Sequence, residues 1–334
     1  MVTPQTGRDA AHLGIEPAIS VILTVINEEQ HLGEAISAVT SSSYSGEIEI
    51  IIAVGPSRDN TLQIARELAA RDKRIRVIDN PSGRTPDGLN AALREATHEI
   101  VVRIDGHSEI EPDYIRIAVR TLNETGAVNV GGLMAAEGTT TFERAVARAM
   151  RSPIGVGASR FHTGGSAGSV DTVYLGVFKK SAIDAIGGFD SRFTRAQDWE
   201  MNYRLRQNGG VVWFNPELKV IYRPRNSLRR LAKQYFEYGR WRRVVSRLHK
   251  GTINFRYLAP PVNLLIHTLS ILLSLLLSPI FILPLLVYLA AIGAASLVIG
   301  KSIRERLLLP LVLITMHFSW GFGFISSPRK LIAK

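Results

Sequence analysis

The first hundred residues alternate short apolar runs with amphipathic stretches. Ile19 to Ile26, Ile48 to Val54, Arg76 to Ile78 and Glu99 to Ile104 are apolar, largely β-branched runs bounded by turn-forming residues. Such runs predict strands buried on both faces of a parallel sheet. His31 to Ser41, Thr61 to Ala70 and Asp87 to Ala96 carry helical spacing between them. Strand and helix alternating at this interval predict an α/β fold with a parallel, doubly wound sheet. No Gly-x-Gly-x-x-Gly follows the first strand, so the dinucleotide fingerprint is missing.

Further along, Ser152 to Ser169 is rich in Gly and Ser and reads as a mobile loop of the kind that forms lids. His162 within it reads as solvated. Asp171 to Phe178 predicts a strand. Gln197 to Gln207 predicts a helix stopped by Asn208-Gly209-Gly210. Val211 to Phe214 and Lys219 to Tyr222 predict two late strands, and Ser227 to Lys250 a basic helix. Three apolar segments close the chain. Leu258 to Ser278 and Pro279 to Gly300 are each long enough for a hydrocarbon core of about 30 Å, and Leu307 to Ile325 is marginally so.

Charge changes the picture of the second half. The formal net charge is +11, and between Arg225 and Arg256 ten Lys/Arg face one acid, Glu237. A basic block ahead of apolar spans suits the cytoplasmic face of a membrane and its anionic lipids, not a nucleic-acid groove. Lys301, Arg304 and Arg306 agree with an out-and-back hairpin. Arg329, Lys330 and Lys334 then conflict with a third crossing, unless that segment is re-entrant. The chain has no cysteine, which removes disulfides and thiol chemistry. Met1 to Glu16 is polar, lacks the apolar core of a signal peptide, and reads as a disordered tail.

The candidate chemistry gathers at strand ends. In open α/β sheets, ligands sit beyond the carboxyl ends of the strands. Thr24 to Glu28, Gly55 to Thr61 and Asp105-Gly106-His107 all fall there, with Asn90 on a nearby helix. Asp105 and His107, with Gly106 letting the backbone pass close to a ligand, suit a divalent metal that carries a diphosphate; the alternative is a turn with a capping Asp. Asp198, at a helix start after a Gly-rich turn, is either a cap or a base facing a substrate hydroxyl. Arg84, Arg103 and Arg225 are basic groups that read either as helpers or as paired surface residues.

Together with Ser152-Pro153-Ile154-Gly155-Val156-Gly157, Gly187-Gly188-Phe189-Asp190, Gln197-Asp198-Trp199-Glu200 and Tyr222-Arg223-Pro224-Arg225, these residues resemble the family 2 glycosyltransferases. The likeness is closest to the membrane-anchored branch that includes the succinoglycan-biosynthesis glucosyltransferase. It runs from about Ile19 to Arg225 and again through His317-Phe318-Ser319-Trp320-Gly321-Phe322-Gly323. The resemblance implies a GT-A fold, a mostly parallel sheet flanked by helices, followed by a C-terminal helical membrane region. The expected division is a tail over 1–16, a GT-A domain over 17–225, a basic juxtamembrane helix over 226–257, two to three membrane or re-entrant helices over 258–325, and a basic tail over 326–334.

The resemblance also implies roles. Thr24, Val25, Asn27 and Glu28 match the first-strand contact with the nucleotide sugar, and Asn90 and Gly106 join them. Asp105 matches the first acid of the metal motif and His107 its second position, for Mn²⁺ or Mg²⁺. Asp198 matches the catalytic base, with Glu200 at the following acidic position. Glu200, Arg225, Arg240 and Trp241 would contact acceptor or diphosphate, with Glu200 alternatively pairing with Arg204 four residues on; Gln234, Arg240 and Trp241 only loosely resemble the Gln-x-x-Arg-Trp motif of processive members. Val54 and Gly55 replace an Asp pair found in many relatives, leaving Ser57 and Asp59; Asp59 reads equally as a nucleoside contact or a cap for the helix at Thr61. The implied activity is inverting transfer from a nucleotide sugar to a lipid-linked or growing glycan at the inner face of the cell membrane. A non-catalytic membrane scaffold and a nucleotidyltransferase are the alternatives.

Overall fold

A computed structural model describes residues 16–329, 331 and 332. The tail expected over 1–16 lies outside these residues except for Glu16. Strands β1 (Ile19–Val25), β2 (Ile48–Val54) and β3 (Ile75–Asp79) alternate with helices α1 (Leu32–Thr40), α2 (Thr61–Arg71) and α3 (Thr85–Glu95) before β4 (Ile100–Arg103). Next come β5 (Glu109–Ile110), α4 (Tyr114–Thr125), β6 (Asn129–Ala136), α5 (Thr141–Met150), and the helical turns α6 (Pro153–Val156) and α7 (Arg160–Thr163). They are followed by β7 (Gly168–Ser169), β8 (Tyr174–Lys179), α8 (Lys180–Ala185), α9 (Gln197–Gln207) and β9 (Val212–Tyr222). The chain ends in α10 (Leu228–Leu248), α11 (Phe255–Leu276), a 3₁₀ turn at Pro279–Ile282, α12 (Leu283–Ile299) and α13 (Ile303–Ser326).

Contacts divide the chain into two units. The first holds the residues up to Met134 together with Gly165–Ile221. Its sheet runs β3-β2-β1-β4-β8-β6-β9-β5, with β7 on β9. The first four strands are parallel, with register Ile19↔Ile48 between β1 and β2 and Ile22↔Arg103 between β1 and β4. β8 is antiparallel to β4 and β6. Continuous apolar runs form these central strands because both faces are covered: Ile19, Val21 and Ile22 are fully buried. Each such side chain contributes about 1.5–3 kcal/mol.

Four expectations change. The two late strands are one, β9, interrupted by Pro216, which cannot donate to a ladder; β7 pairs with Trp213 and Phe214 before it and β5 with Val220 and Ile221 after it. The strand expected from Asp171 begins at Tyr174. Ser152 to Ser169 carries α6, α7 and β7, and the Ser152 hydroxyl caps α6 by accepting from the Ile154 amide at 3.2 Å. The third apolar helix has 24 residues and starts at Ile303, where Ser302 caps it.

The second unit comprises Ala135–Gly164 and the residues from Tyr222 onward. In it α10 lies along α13, and α5 packs on the first half of α13. His162, expected to be solvated, has a buried ring nitrogen. Burial and the nearby Arg256 push its pKa down to about 3, so it stays neutral.

Candidate active site

Arg103 is the hub of the first unit. It ends β4, is only 3% exposed, and its guanidinium reaches two carboxylates, Asp105 at 3.1 Å and Asp198 in a direct ion pair. A charge inside a buried strand is tolerated only when paired. This pairing draws the strand-four acid and the α9 acid to one point. Burial raises the Asp198 carboxyl above its usual range, with the adjacent Asp105 carboxylate adding to the effect and Arg103 opposing it.

Asp198 is not a cap. It sits in the first turn of α9, whose N-cap is Ala196 with no side-chain cap bond. Ala196 has φ +61° and Asn27 has φ +56°, and only Leu175 shares that region among non-glycine described residues. Ala196 stands two residues before Asp198, and left-handed non-glycine positions of this kind cluster at functional sites. The helix dipole favours an anion where Asp198 stands.

The surrounding motif residues hold α9 in place. Asn90 donates to the Phe189 carbonyl at 2.7 Å and accepts from its amide at 2.8 Å. Glu200, 1% exposed, forms a bidentate pair with Arg204, which also donates to the carbonyls of Ile186 and Gly188. Asn202 bonds Asn129 at 2.6 Å and Thr172 at 2.9 Å. The Gly187-Gly188-Phe189 turn is thus pinned to both α3 and α9. Both ends of the Asn90 amide and both Glu200 oxygens have protein partners, and the Glu200–Arg204 pair is the one their spacing predicts.

The opposite rim is built by the ends of β1 and β2. The Asn27 amide donates to the Ser57 hydroxyl at 3.1 Å, and the Asn27 side chain accepts from the Arg58 amide at 2.8 Å. The Glu28 amide donates to the Thr61 hydroxyl at 2.7 Å. Asp59 accepts from the Thr61 amide at 3.0 Å and the Glu29 amide at 3.2 Å, tying the start of α2 to the residues after β1. The Thr24 hydroxyl accepts from Asn80 at 3.2 Å, and Val25 is buried with its carbonyl bonded to the Gly55 amide. At Gly106 the close approach is to protein: a Cβ there would lie 2.7 Å from Val25 Cγ1 and 3.1 Å from Glu28 Cγ. Glycine lets the β4 loop pass the end of β1.

His107 is half exposed, and its Nδ1 lies 2.8 Å from Glu28 Oε1. A carboxylate holding one nitrogen of an imidazole fixes the ring so that metal binds through the other. Among the described residues no group of three or more His, Cys, Asp or Glu is arranged to hold a metal. Asp105, bonded to Arg103 through one oxygen, and His107 offer a carboxylate and an imidazole, a donor pair of a kind that a divalent ion can take only if substrate oxygens and water supply its other ligands. Arg225, Arg240 and Trp241 belong to the second unit. There Arg225 is exposed, Arg240 pairs with Glu237 at 2.8 Å, and Trp241 is 5% exposed in the core. In the sequence Arg103 shows only as a lone charge in an apolar run, and that is the signal of its role.

The profile described as "Glycosyl transferase family 2" matches residues 20–187. The chain is 32% identical to the succinoglycan biosynthesis protein ExoA of Rhizobium meliloti over 242 residues, 72% of this chain and 73% of that one. It is 26% identical to a dolichyl N-acetyl-alpha-D-glucosaminyl phosphate 3-beta-D-2,3-diacetamido-2,3-dideoxy-beta-D-glucuronosyltransferase of Methanococcus voltae, over 93% of this chain and 97% of that one. Among solved structures, the mannosyltransferase PcManGT from Pyrobaculum calidifontis, in complex with GDP-Man and Mn²⁺, shares the fold. Its TM-score is 0.57 at 18% identity, covering 91% of this chain and 88% of that one.

Proposed function

This chain belongs to glycosyl transferase family 2, and from that premise we propose an inverting transfer of a sugar from a nucleotide-sugar donor to a lipid-linked or polysaccharide acceptor at the cytoplasmic membrane face. The observation that carries the reading is the Arg103 bridge, which fixes Asp105 and Asp198 at one point of the sheet edge. Asp198 takes the proton of the acceptor hydroxyl as that oxygen attacks the sugar's anomeric carbon. The bond to the diphosphate oxygen breaks in the same displacement, so the configuration inverts and a nucleoside diphosphate leaves. Asp105 and His107 would hold Mn²⁺ or Mg²⁺, which when bound stabilises charge on the leaving diphosphate. Thr24 to Glu28 and Ser57 would line the nucleotide side. The relatives in polysaccharide and lipid-linked glycan synthesis support the acceptor class. The neighbour bound to GDP-Man and Mn²⁺ supports the donor class and the metal. The basic helix α10 beside the apolar helices supports anchoring on anionic lipid.

Asp198→Asn keeps the size of the side chain and removes the base. Transfer should fall about 10²–10⁴-fold while donor-induced thermal stabilisation with Mn²⁺ persists. Full transfer by Asp198→Asn removes Asp198 as base. Release of inorganic diphosphate in place of a nucleoside diphosphate would mean nucleotidyl transfer.

A further inference from the structure

Three helical segments of the second unit are long and apolar enough to cross a membrane, but they are covered unequally. The most apolar window is 17% buried in α11, 11% in the segment containing α12, and 39% in α13. The cover of α13 is partly apolar, where its His317 bonds Tyr288 of α12 and its Phe318 meets His267 of α11, and partly charged. At its start Glu305, 4% exposed, faces Arg144 at 3.5 Å and Arg148 at 3.7 Å, both on α5. At its end, Gly323 packs against the Phe236 carbonyl and Gly239 against the Trp320 carbonyl, so α10 and α13 touch backbone to backbone. Arg243 lies over the Phe324 ring at 5.0 Å, and Arg247 donates to the carbonyls of Ser327 and Pro328 at 2.8 and 2.9 Å. Helix α10 carries six Arg and one Lys against one Glu. A helix with that charge cannot accompany α13 through hydrocarbon.

The ends of α13 give a second, independent argument. Its first turn lies where α12 stops: Arg306 donates to the Gly300 carbonyl at 3.1 Å. Its last turns return to where α11 begins. Trp320 stacks on Tyr257 with centroids 6.5 Å apart, and a Cβ at Gly321 would lie 2.6 Å from the Pro260 carbonyl oxygen. In an out-and-back hairpin of α11 and α12, the start of α11 and the end of α12 share one membrane face. Helix α13 joins those two points.

We infer that α13 does not cross the membrane and lies at the interface on the side where α11 begins. This rests on the reading of α11 and α12 as spans, and not on the proposed chemistry. The occupant of its open face is the bilayer. Ile303, Leu307, Leu311 and Ile325 are 46–74% exposed, and their spacing puts them on one side of the helix. On the other side α5 and α10 stay in the aqueous and headgroup region. Lys301 and Arg304 at one end and Arg329 at the other then fall on the same side as α10, which satisfies the positive-inside rule at both ends.

The absence of cysteine makes the test direct. Single substitutions Leu277→Cys, Lys301→Cys and Arg329→Cys in the full chain would be labelled with a membrane-impermeant maleimide, in spheroplasts and in inverted vesicles. Ser326→Cys replaces Arg329→Cys if the latter fails to accumulate. The expected result is that 301 and 329 react from one side and 277 only from the other. Labelling of 329 from the side of 277 overturns the inference, and so does labelling of 277 and 301 from the same side. The readout is accessibility, so an inactive chain that labels as expected would count against the proposed transfer alone.

Discussion

The two units hold their arginines in different ways. In the first, Arg103 is sealed between carboxylates and is 3% exposed. In the second, Arg240 is paired with Glu237, while Arg242 and Arg243 lie over Tyr257 and Phe324 at 3.7 and 5.0 Å. A guanidinium between two carboxylates is directional, and its charge is cancelled locally. A guanidinium on a ring face is held through its flat surface and keeps its net charge for the surroundings. The first arrangement fixes two acids at a point, which suits chemistry. The second leaves a positive field over a broad area, which suits a lipid surface.

The sharpest way to break this contrast is Arg103→Met. It keeps the volume and leaves Asp105 and Asp198 facing each other without their counter-charge. Removing one partner of a buried ion pair costs about 3–5 kcal/mol. Denaturant melts of the detergent-solubilised chain should show that loss, with transfer abolished. An unchanged melt would mean that the bridge is incidental. Arg103→Lys should recover part of the stability and little activity, since an ammonium cannot span two carboxylates as a fork does. A smaller effect is expected at the metal side. Glu28→Ala removes the group that orients His107, so the Mn²⁺ concentration for half-maximal transfer should rise about 10–100-fold. At saturating Mn²⁺ the rate should approach that of the parent chain; a rate loss that metal cannot rescue would place Glu28 in direct contact with substrate.

The parallel half of the sheet is legible because β1, β2 and β4 are apolar runs that need only their own sequence to declare burial, whereas β3, at the sheet edge, buries only Ile75. Helix α9 was read with its observed ends, since Asn208-Gly209-Gly210 stops it. Over 108–151, where β5, α4, β6 and α5 form, the local signal is uneven. The signal for α4 was present, with Ile115, Ala118, Val119 and Leu122 at helical spacing. For β6 it was not. Gly131 and Gly132 weaken strand propensity, and Gly132 is required because a Cβ there would strike Leu218 of β9. The same limit applies at the site. Asp105 and His107 announce themselves by chemistry, whereas the partner that gives Arg103 its role stands 95 residues further along. Asn90 and Glu200 fell near the right place, but nothing local distinguishes an amide that touches substrate from one that staples a turn.

The smallest predicted effect tests the other side of the contrast. Arg243→Ala removes one ring-stacked guanidinium, worth about 0.5–1 kcal/mol at an exposed site, so melting in detergent should barely change. In bilayer discs the outcome should depend on lipid. Anionic lipid should stabilise the parent chain relative to zwitterionic lipid, because each basic group near an anionic surface contributes about 1 kcal/mol. Arg243→Ala should narrow that difference by about this amount at low salt, and high salt should erase the narrowing because the Debye length shrinks to about 3 Å at 1 M. Arg103→Met should show no such lipid or salt dependence, since its counter-charges are built into the chain. If Arg243→Ala instead lowered stability equally in every lipid, its charge would be serving the fold as Arg103 does, and the two units would not differ in kind.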